Sequence, residues 1–354
     1  MPIRRVVVAL LLLAPTLTAG AADKTLFIEL ELRGSPLPVA VTGSGTTIVG
    51  NFDGGGGFYW MPTTGVIFNG GRTAAAVSAD GRTIVGQARD AQGVQNAAIW
   101  LRATEWRPLG GFAGAPPCFL DLSNALDTSR DGKVIVGFAW RVCGTVHAFR
   151  WEESTGMVDL GSTVAGASSQ AQAVSGDGRV IVGSQEVRSF DVGVRWIDGR
   201  QERIPGEEGF VVGIAYNANN DGSIVVGRQC RPAAANDQTA WIWKAGEGTR
   251  CLPMPVKRPS DLTLGYAKAA SDDGRVVVGS QRIGTTDSEA VIWIDGSPSY
   301  LKAYLRANGV PDAFERWFNT GEITDVSPDG RILVGWGAAV GGLRGYLVIL
   351  GEAE

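Results

Sequence analysis

The fold of this chain is decided by the stretch Val77-Ser78-Ala79-Asp80-Gly81-Arg82-Thr83-Ile84-Val85-Gly86, whose pattern returns along the sequence. The pattern is an apolar segment, an Asp-Gly pair and a β-branched segment that ends in glycine. Asp-Gly between such segments predicts a β-hairpin with a two-residue turn, since glycine accepts the positive φ that the turn requires. The pattern recurs around five further aspartates: Asp131, Asp177, Asp221, Asp273 and Asp329.

Aligning the glycine that ends each hairpin gives seven units, the first of which has Ser44 in place of the turn aspartate. A third strand is predicted after each hairpin. It begins with a small residue and in six units ends in tryptophan: Trp60, Trp100, Trp151, Trp196, Trp243 and Trp293. A short fourth strand follows in six units. Four strands in a unit of roughly 45 residues are typical of a β-propeller blade.

The seventh unit lacks a fourth strand, whereas a strand predicted over Leu26–Leu32 precedes the first unit. Placing that strand in the last blade closes the ring and covers an exposed edge. We therefore predict an all-β fold, a seven-bladed β-propeller with four-stranded blades, as a single domain over residues 23–354. A short amphipathic helix is predicted within 299–308. The predicted blades are 35–71, 72–111, 122–161, 168–206, 212–253, 264–301, and 320–350 plus 26–32.

The amino terminus predicts export. Arg4 and Arg5 precede the apolar run Val6–Leu13, and small residues follow at 19–22. This is the pattern of a secretory signal peptide over residues 1–22, and the run is too short for an ordinary membrane span. We expect a secreted or periplasmic protein without a transmembrane segment in the mature chain.

Composition excludes one class of partner. The chain of 354 residues has 50 glycines and 44% hydrophobic residues, which fits many short strands and tight turns. Its net charge is −4, and removing Arg4 and Arg5 with the signal peptide makes it −6. A basic nucleic-acid footprint is therefore absent, and we expect no nucleic-acid partner.

Four cysteines in an exported chain predict two disulfides. Three connectivities are possible, and four free thiols are the alternative. We favour Cys118–Cys143 and Cys230–Cys251, because each pair falls within or beside one unit. No metal site is predicted, since the sequence has no CxxC spacing and a single histidine, His147. We also expect no cofactor.

The third unit shows a family resemblance. The triplet His147-Ala148-Phe149 lies inside Val146–Trp151, follows the hairpin Ser129–Gly137 and precedes Gly156–Gly161. These segments resemble the bacterial HAF-repeat proteins of predicted extracellular location, and the resemblance extends over most of the mature chain. It implies export and a repeated β-architecture. It implies no catalytic residues and no particular ligand.

Candidate ligand-binding residues lie outside the repeat register, in the loops that vary most in length between units. They are Trp140, Arg141, Trp317 and Trp336. Aromatic side chains beside arginine can stack on sugars or anchor a protein partner. The alternative is that they only pack loops onto the blades. We predict a protein or glycan partner on this loop-rich face of a monomer.

No catalytic constellation is recognisable in the sequence, and His147 stands in repeat register at a strand start. The first hypothesis is therefore a binding or interaction module without catalytic activity and without catalytic residues. The alternative is a secreted polysaccharide hydrolase or lyase that uses loop carboxylates as acid and base. A purely structural envelope component is a third possibility. The candidate carboxylates are Asp121, Glu207, Glu208, Asp312 and Glu315.

Overall fold

A computed structural model of the chain describes residues 24–30, 34–68, 70–101, 105–188, 190–207, 210–232, 239–255, 264–284 and 287–351. The predicted signal peptide lies outside these residues, as do positions 31 and 32 of the predicted closing strand. The first strand, β1 (Leu26–Leu30), belongs to the last blade. The blades are numbered 1 to 7 in chain order.

The first three blades each contain four antiparallel strands. Blade 1 consists of β2 (Pro36–Val41), β3 (Ile48–Phe52), β4 (Gly57–Met61) and β5 (Gly65–Phe68). Blade 2 consists of β6 (Thr73–Val77), β7 (Thr83–Arg89), β8 (Gln95–Leu101) and β9 (Trp106–Pro108). Blade 3 consists of β10 (Ser123–Thr128), β11 (Ile135–Val142), β12 (Thr145–Glu152) and β13 (Gly156–Gly161).

Blades 4 to 6 repeat this order. Blade 4 consists of β14 (Ser169–Val174), β15 (Val180–Val187), β16 (Phe190–Ile197) and β17 (Arg200–Arg203). Blade 5 consists of β19 (Ala215–Ala218), β20 (Ile224–Pro232), β21 (Thr239–Lys244) and β22 (Gly248–Cys251), and a short strand, β18 (Phe210–Val211), pairs with β20. Blade 6 consists of β23 (Leu264–Ala270), β24 (Val276–Arg282), β25 (Ser288–Ile294) and β26 (Ser297–Tyr300).

Blade 7 closes the ring. It contains β27 (Glu322–Val326), β28 (Ile332–Ala339) and β29 (Gly342–Ile349), and β1 adds the fourth strand. β1 runs antiparallel to β29, from Leu26 opposite Ile349 to Leu30 opposite Gly345. The predicted all-β, seven-bladed propeller with its amino-terminal closing strand is therefore confirmed. The predicted helix forms as α1 (Leu301–Ala307), between blades 6 and 7.

The Asp-Gly loops differ from the predicted two-residue turn. Between β6 and β7, residues 78–82 form a longer loop. The Ser78 hydroxyl donates to Asp80 Oδ1 at 2.7 Å and accepts the Thr83 N–H at 3.0 Å. Asp80 Oδ1 also accepts the Arg82 N–H, and these hydrogen bonds, chiefly that from Ser78, lower the pKa of Asp80. The two-residue prediction is wrong because the serine and aspartate side chains close the longer loop.

The repeat glycine has a steric role that is clear at Gly137 in β11. The inner strand β10 has a bulge between Ala125 and Asp127, which brings its backbone close to β11. A Cβ atom on Gly137 would lie 1.9 Å from the Asn124 carbonyl oxygen. No side chain fits there, so the glycine allows the bulged strand to pack.

The repeat tryptophans fill the space between neighbouring blades. All six are at most 8% exposed. Trp151 of blade 3, for example, belongs to a hydrophobic cluster with Ala76 and Val85 of blade 2. In blade 7, Val348 takes the equivalent place and is fully buried. Each blade is thus stabilised mainly by burial against its neighbours, as expected for a radial repeat.

The two predicted disulfides form. Cys118 pairs with Cys143 and Cys230 with Cys251, with Cα–Cα separations of 5.4 and 5.6 Å. The favoured connectivity is confirmed, and two disulfides fit a protein that resides outside the cytoplasm. In the part of the chain that the structure describes, no helix is both long and apolar enough to cross a membrane.

Two aspartates bind the backbone of the next blade around the ring. Asp127 Oδ2 accepts the Val174 N–H and Asp325 Oδ2 accepts the Val41 N–H, each at 2.8 Å. Burial of these carboxyl groups raises the pKa of both to about 7, despite the opposing effect of the N–H donors. The negative charge of Asp325 adds to the increase at Asp127.

These raised pKa values predict that stability falls as pH rises. Asp127 and Asp325 bind protons more tightly in the folded state than in the unfolded chain, where an aspartate titrates near 4. Between pH 5 and 8 we expect the free energy of unfolding, measured with urea, to fall by about 2 kcal/mol or more. Asp127→Asn should reduce that slope. Stability that is flat or increases over this range would contradict the prediction.

Candidate functional site

The first strands of the blades surround a central channel. Around the ring, the first strand of each blade contacts the first strand of the next, and β27 contacts β2. These strands begin at the face that holds the connections between blades and the loops between second and third strands. We call it the loop face. The Asp-Gly loops lie on the opposite face.

Five polar or charged residues of blades 5 to 7 converge where the channel opens on the loop face. They are Tyr216 of β19, Arg228 of β20, Tyr266 and Lys268 of β23, and Glu322 of β27, and we call them the channel cluster. Each is partly exposed. Lys268 Nζ lies 3.4 Å from Glu322 Oε2, so an ion pair joins blades 6 and 7.

Two cations lie beside two tyrosine rings in this cluster. The Arg228 Cζ atom is 5.8 Å from the Tyr216 ring centroid and 5.6 Å from that of Tyr266. Lys268 Nζ is 4.7 and 5.9 Å from the same two centroids. The negative ring faces stabilise both cations without supplying hydrogen-bond acceptors for them. The Arg228 Nε atom is buried and has no hydrogen-bond partner among the described residues.

Local backbone irregularities position these side chains. β19 has a register shift at Tyr216, and β23 has one at Lys268. Such bulges re-aim a side chain, here at equivalent positions of adjacent blades. In addition, β20 and β23 pair across the gap between blades 5 and 6, with Arg228 opposite Tyr266. This pairing holds Arg228 beside the next blade.

Electrostatics keep Tyr216 protonated. Burial raises the pKa of Tyr216 to about 12, and nearby Tyr266, Glu322 and Asp191 add to the increase. The Arg228 charge acts in the opposite direction but does not cancel it. At neutral pH the phenol therefore holds its proton and can donate it, whereas Glu322, paired with Lys268, supplies a carboxylate.

A cleft of about 320 Å³ lies on the loop face of blade 4, beside this cluster. Gln170 and Ser169 of the inner strand β14 form one side, and Glu186, Phe190 and Asp191 of the β15–β16 hairpin form another. The influence of Asp191 on the pKa of Tyr216 links the cleft to the channel cluster.

The four predicted ligand-binding residues do not form one site. Trp140 and Arg141 lie on β11 of blade 3, where Arg141 Nε pairs with Asp159 Oδ2 at 3.3 Å. Trp317 is only 9% exposed and packs in the blade 6–7 connection. Trp336 of β28 pairs in register with Glu322, so it is the one predicted residue next to the channel cluster.

The predicted loop carboxylates are also dispersed. Asp121 accepts a hydrogen bond from Gln87 Nε2 at 3.0 Å on the blade 2–3 connection. Glu207 lies on the blade 4–5 connection, and Glu208 lies outside the described residues. Asp312 and Glu315 follow α1, before blade 7. The described carboxylates thus occupy three separate connections between blades.

His147 contacts a carboxylate of its own blade, blade 3. Its Nδ1 atom lies 3.0 Å from Asp159 Oδ1, and Arg141 contacts the same carboxylate. No hydroxyl group of the described residues forms a hydrogen bond with His147. The arrangement is therefore a local polar network on the side of the blade.

The sequence contained one signal for the channel cluster that motif reasoning missed. The residue three positions before the turn serine or asparagine is the bulged residue of the inner strand. It differs between units: Ala75, Leu126, Gln172, Tyr216, Lys268 and Thr324. Two residues of the channel cluster, Tyr216 and Lys268, occupy this position.

One group of potential metal ligands occurs among the described residues, formed by Glu207, Cys230 and Cys251, whose ligand atoms lie within 4.8 Å of one another. The two sulfur atoms form a disulfide, and a metal requires the thiolate. This group therefore does not suit a metal ion. Elsewhere in the described ranges no comparable set of three ligands is assembled.

Comparison with solved structures shows the propeller fold in three proteins. An oligogalacturonate lyase from Vibrio parahaemolyticus is 12% identical, with a TM-score of 0.57, covering 94% of this chain and 99% of that chain. The propeller domain of the Trilobed protease from Pyrococcus furiosus is 14% identical, with a TM-score of 0.55, covering 90% and 96%. An oligogalacturonate lyase in complex with manganese is 13% identical, with a TM-score of 0.53, covering 89% and 88%.

No protein-family model matches the sequence, and no curated protein matches it significantly. The structural comparison nevertheless corrects the predicted function. The hypothesis of a binding module without catalytic activity is wrong, because two similar propellers are oligogalacturonate lyases and this likeness favours the alternative of a polysaccharide hydrolase or lyase. That hypothesis relied on the absence of a short catalytic motif in the sequence. A propeller builds its channel from residues of several blades, which a short motif does not reveal.

Proposed function

We propose that this protein is a polysaccharide lyase that cleaves an acidic polysaccharide at the channel cluster. The observation that carries the proposal is the pair of cations, Arg228 and Lys268, held beside two tyrosine rings at the channel mouth. The fold shared with oligogalacturonate lyases supports the reaction class. The loop carboxylates predicted from the sequence have no role in this proposal, and Glu322 supplies the carboxylate instead.

β-Elimination of a uronate requires three groups. A cation must neutralise the substrate carboxylate, so that the proton on the adjacent carbon becomes acidic. A base must remove that proton, and an acid must protonate the leaving glycosidic oxygen. In this proposal the partly exposed Arg228 side chain binds the carboxylate through its guanidinium. The product is an unsaturated uronide and a new chain end.

Glu322 and Tyr216 take the base and acid roles. The Glu322 carboxylate, oriented by Lys268 at 3.4 Å, accepts the proton of the substrate carbon. The Tyr216 phenol, whose pKa is raised to about 12, donates its proton to the leaving oxygen as the carbon–oxygen bond breaks. Tyr266 provides a stacking surface and holds Arg228. Glu322 thus takes one proton from the substrate, and Tyr216 gives one proton to it.

Product analysis tests this function. We expect purified protein, incubated with a panel of uronate polymers, to release oligosaccharides that absorb in the ultraviolet through a new carbon–carbon double bond. A hydrolase would generate reducing ends without that chromophore, and this result would overturn the lyase assignment. Absence of any cleavage, with Glu322→Gln and wild-type protein equally inactive, would overturn the enzyme proposal.

We propose in addition that the protein acts in the periplasm or outside the cell. The predicted signal peptide and the resemblance to HAF-repeat proteins support this location, and the two disulfides are compatible with it. Amino-terminal sequencing of protein from the producing cell should find the chain starting near Asp23. A chain that retains Met1 would contradict export by cleavage.

A further inference from the structure

The cleft beside the channel cluster has a chemistry opposite to that of the cluster. Glu186 and Asp191 face each other in the β15–β16 hairpin and are both exposed. They line the cleft with the Ser168 hydroxyl, the Gln170 amide and the Phe190 ring. The channel cluster offers cations to a ligand, whereas this cleft offers carboxylates, neutral hydrogen-bonding groups and one aromatic surface.

The two regions belong to adjacent blades. The charge of Asp191 influences the pKa of Tyr216, which belongs to the channel cluster. Gln170 lies on β14, and β14 contacts β19, the strand of Tyr216. The cleft and the channel cluster therefore lie on adjacent blades of the same face.

A second uronate does not suit that cleft. Its carboxylate would lie near Glu186 and Asp191, and like charges brought together at a binding surface disfavour binding strongly. A ring with hydroxyl or amide groups and no carboxylate can instead use Ser168 and Gln170 and pack on Phe190.

We infer that the substrate alternates, with a uronate at the channel cluster and an uncharged sugar in the blade 4 cleft. Glu186 and Asp191 are then the specificity-determining residues that reject a homopolymer of uronates. This inference rests on the proposed function, since it takes the channel cluster as the uronate site. An alternating substrate differs from the oligogalacturonate for which the two similar lyases are named.

Two polymers test the inference. Polygalacturonate is a homopolymer of uronate, whereas unsulfated chondroitin alternates glucuronate with N-acetylgalactosamine. We expect the wild-type protein to cleave the alternating polymer at least about tenfold faster. The double variant Glu186→Gln/Asp191→Asn should cleave the homopolymer faster. The ratio of the two cleavage rates, alternating polymer over homopolymer, should therefore fall by about tenfold. Asp198→Asn removes an exposed carboxylate from the β16–β17 turn, on the opposite face of blade 4, and should leave the ratio unchanged.

A binding measurement separates failure of this inference from failure of the proposed function. Calorimetry with short oligosaccharides of each polymer needs no turnover, and wild-type protein should bind the alternating series at least about tenfold more tightly. If neither polymer is cleaved but this preference appears, the lyase proposal fails and the cleft assignment stands. Equal affinities, or a double variant with the wild-type thermal midpoint and an unchanged preference, would overturn the inference.

Discussion

Replacing Arg228 with methionine is expected to lower kcat/KM on an acidic polysaccharide by about 10²–10³-fold. Methionine keeps an unbranched side chain between the Tyr216 and Tyr266 rings but removes the guanidinium. The substrate carboxylate then lacks its cation as negative charge develops on the adjacent carbon, so most of the loss should appear in kcat. Initial rates of double-bond formation over a range of polymer concentrations measure this effect.

Two variants control the Arg228 experiment. Arg228→Lys keeps the charge but loses the planar fork, so it should recover part of the lost rate. Arg282→Met removes an exposed arginine from blade 6, outside the channel cluster, and should have little effect. A fully active Arg228→Met protein that retains the wild-type thermal midpoint would show that the uronate binds elsewhere.

Gly137→Ala is expected to lower the free energy of unfolding by about 3 kcal/mol or more. The added methyl group would lie 1.9 Å from the Asn124 carbonyl oxygen and 3.0 Å from the Ala125 Cα atom. Both atoms belong to the backbone of β10, so relief requires movement of an inner strand that also contacts β6 and β14. The midpoint of urea unfolding measures the loss.

A glycine outside any contact provides the matched control. Gly54 lies in the loop between β3 and β4, and a Cβ atom there would meet no heavy atom within 4 Å. Gly54→Ala should therefore change the free energy of unfolding by less than about 0.5 kcal/mol. If Gly137→Ala is equally mild, the bulged inner strand adapts readily and the steric explanation of the repeat glycine is wrong.

The repeat made the architecture predictable. The hairpin, the tryptophan and the glycine recur at matching positions, so each unit independently indicates the same blade. The strand predicted before the first unit supplies the fourth strand that the seventh unit lacks. The disulfides were predictable because each cysteine pair falls within or beside one unit. The Asp-Gly turn was predicted too short, since side-chain hydrogen bonds from Ser78 and Asp80 extend the loop.

The candidate site was much less predictable. Its residues belong to three consecutive blades, and Tyr216 and Glu322 come near each other because β19, β23 and β27 lie side by side around the channel. One predicted loop aromatic has a packing role: Trp317 packs against Phe314 and Tyr346, with ring centroids 5.1 and 5.7 Å away. A residue's position outside the repeat register therefore does not distinguish packing from ligand contact.

The shared edge of β1 and β29 has a consequence for the order of folding. Thr25 Oγ1 accepts the Gly351 N–H at 3.1 Å beside the β1–β29 pair, so the strand that precedes blade 1 is held by the last strand of blade 7. Blades 1 to 6 can form in succession as the chain emerges, but the ring stays open until β29 has formed. β1 therefore lacks its partner strand until β29 has been made, so closure of the ring follows formation of the other blades.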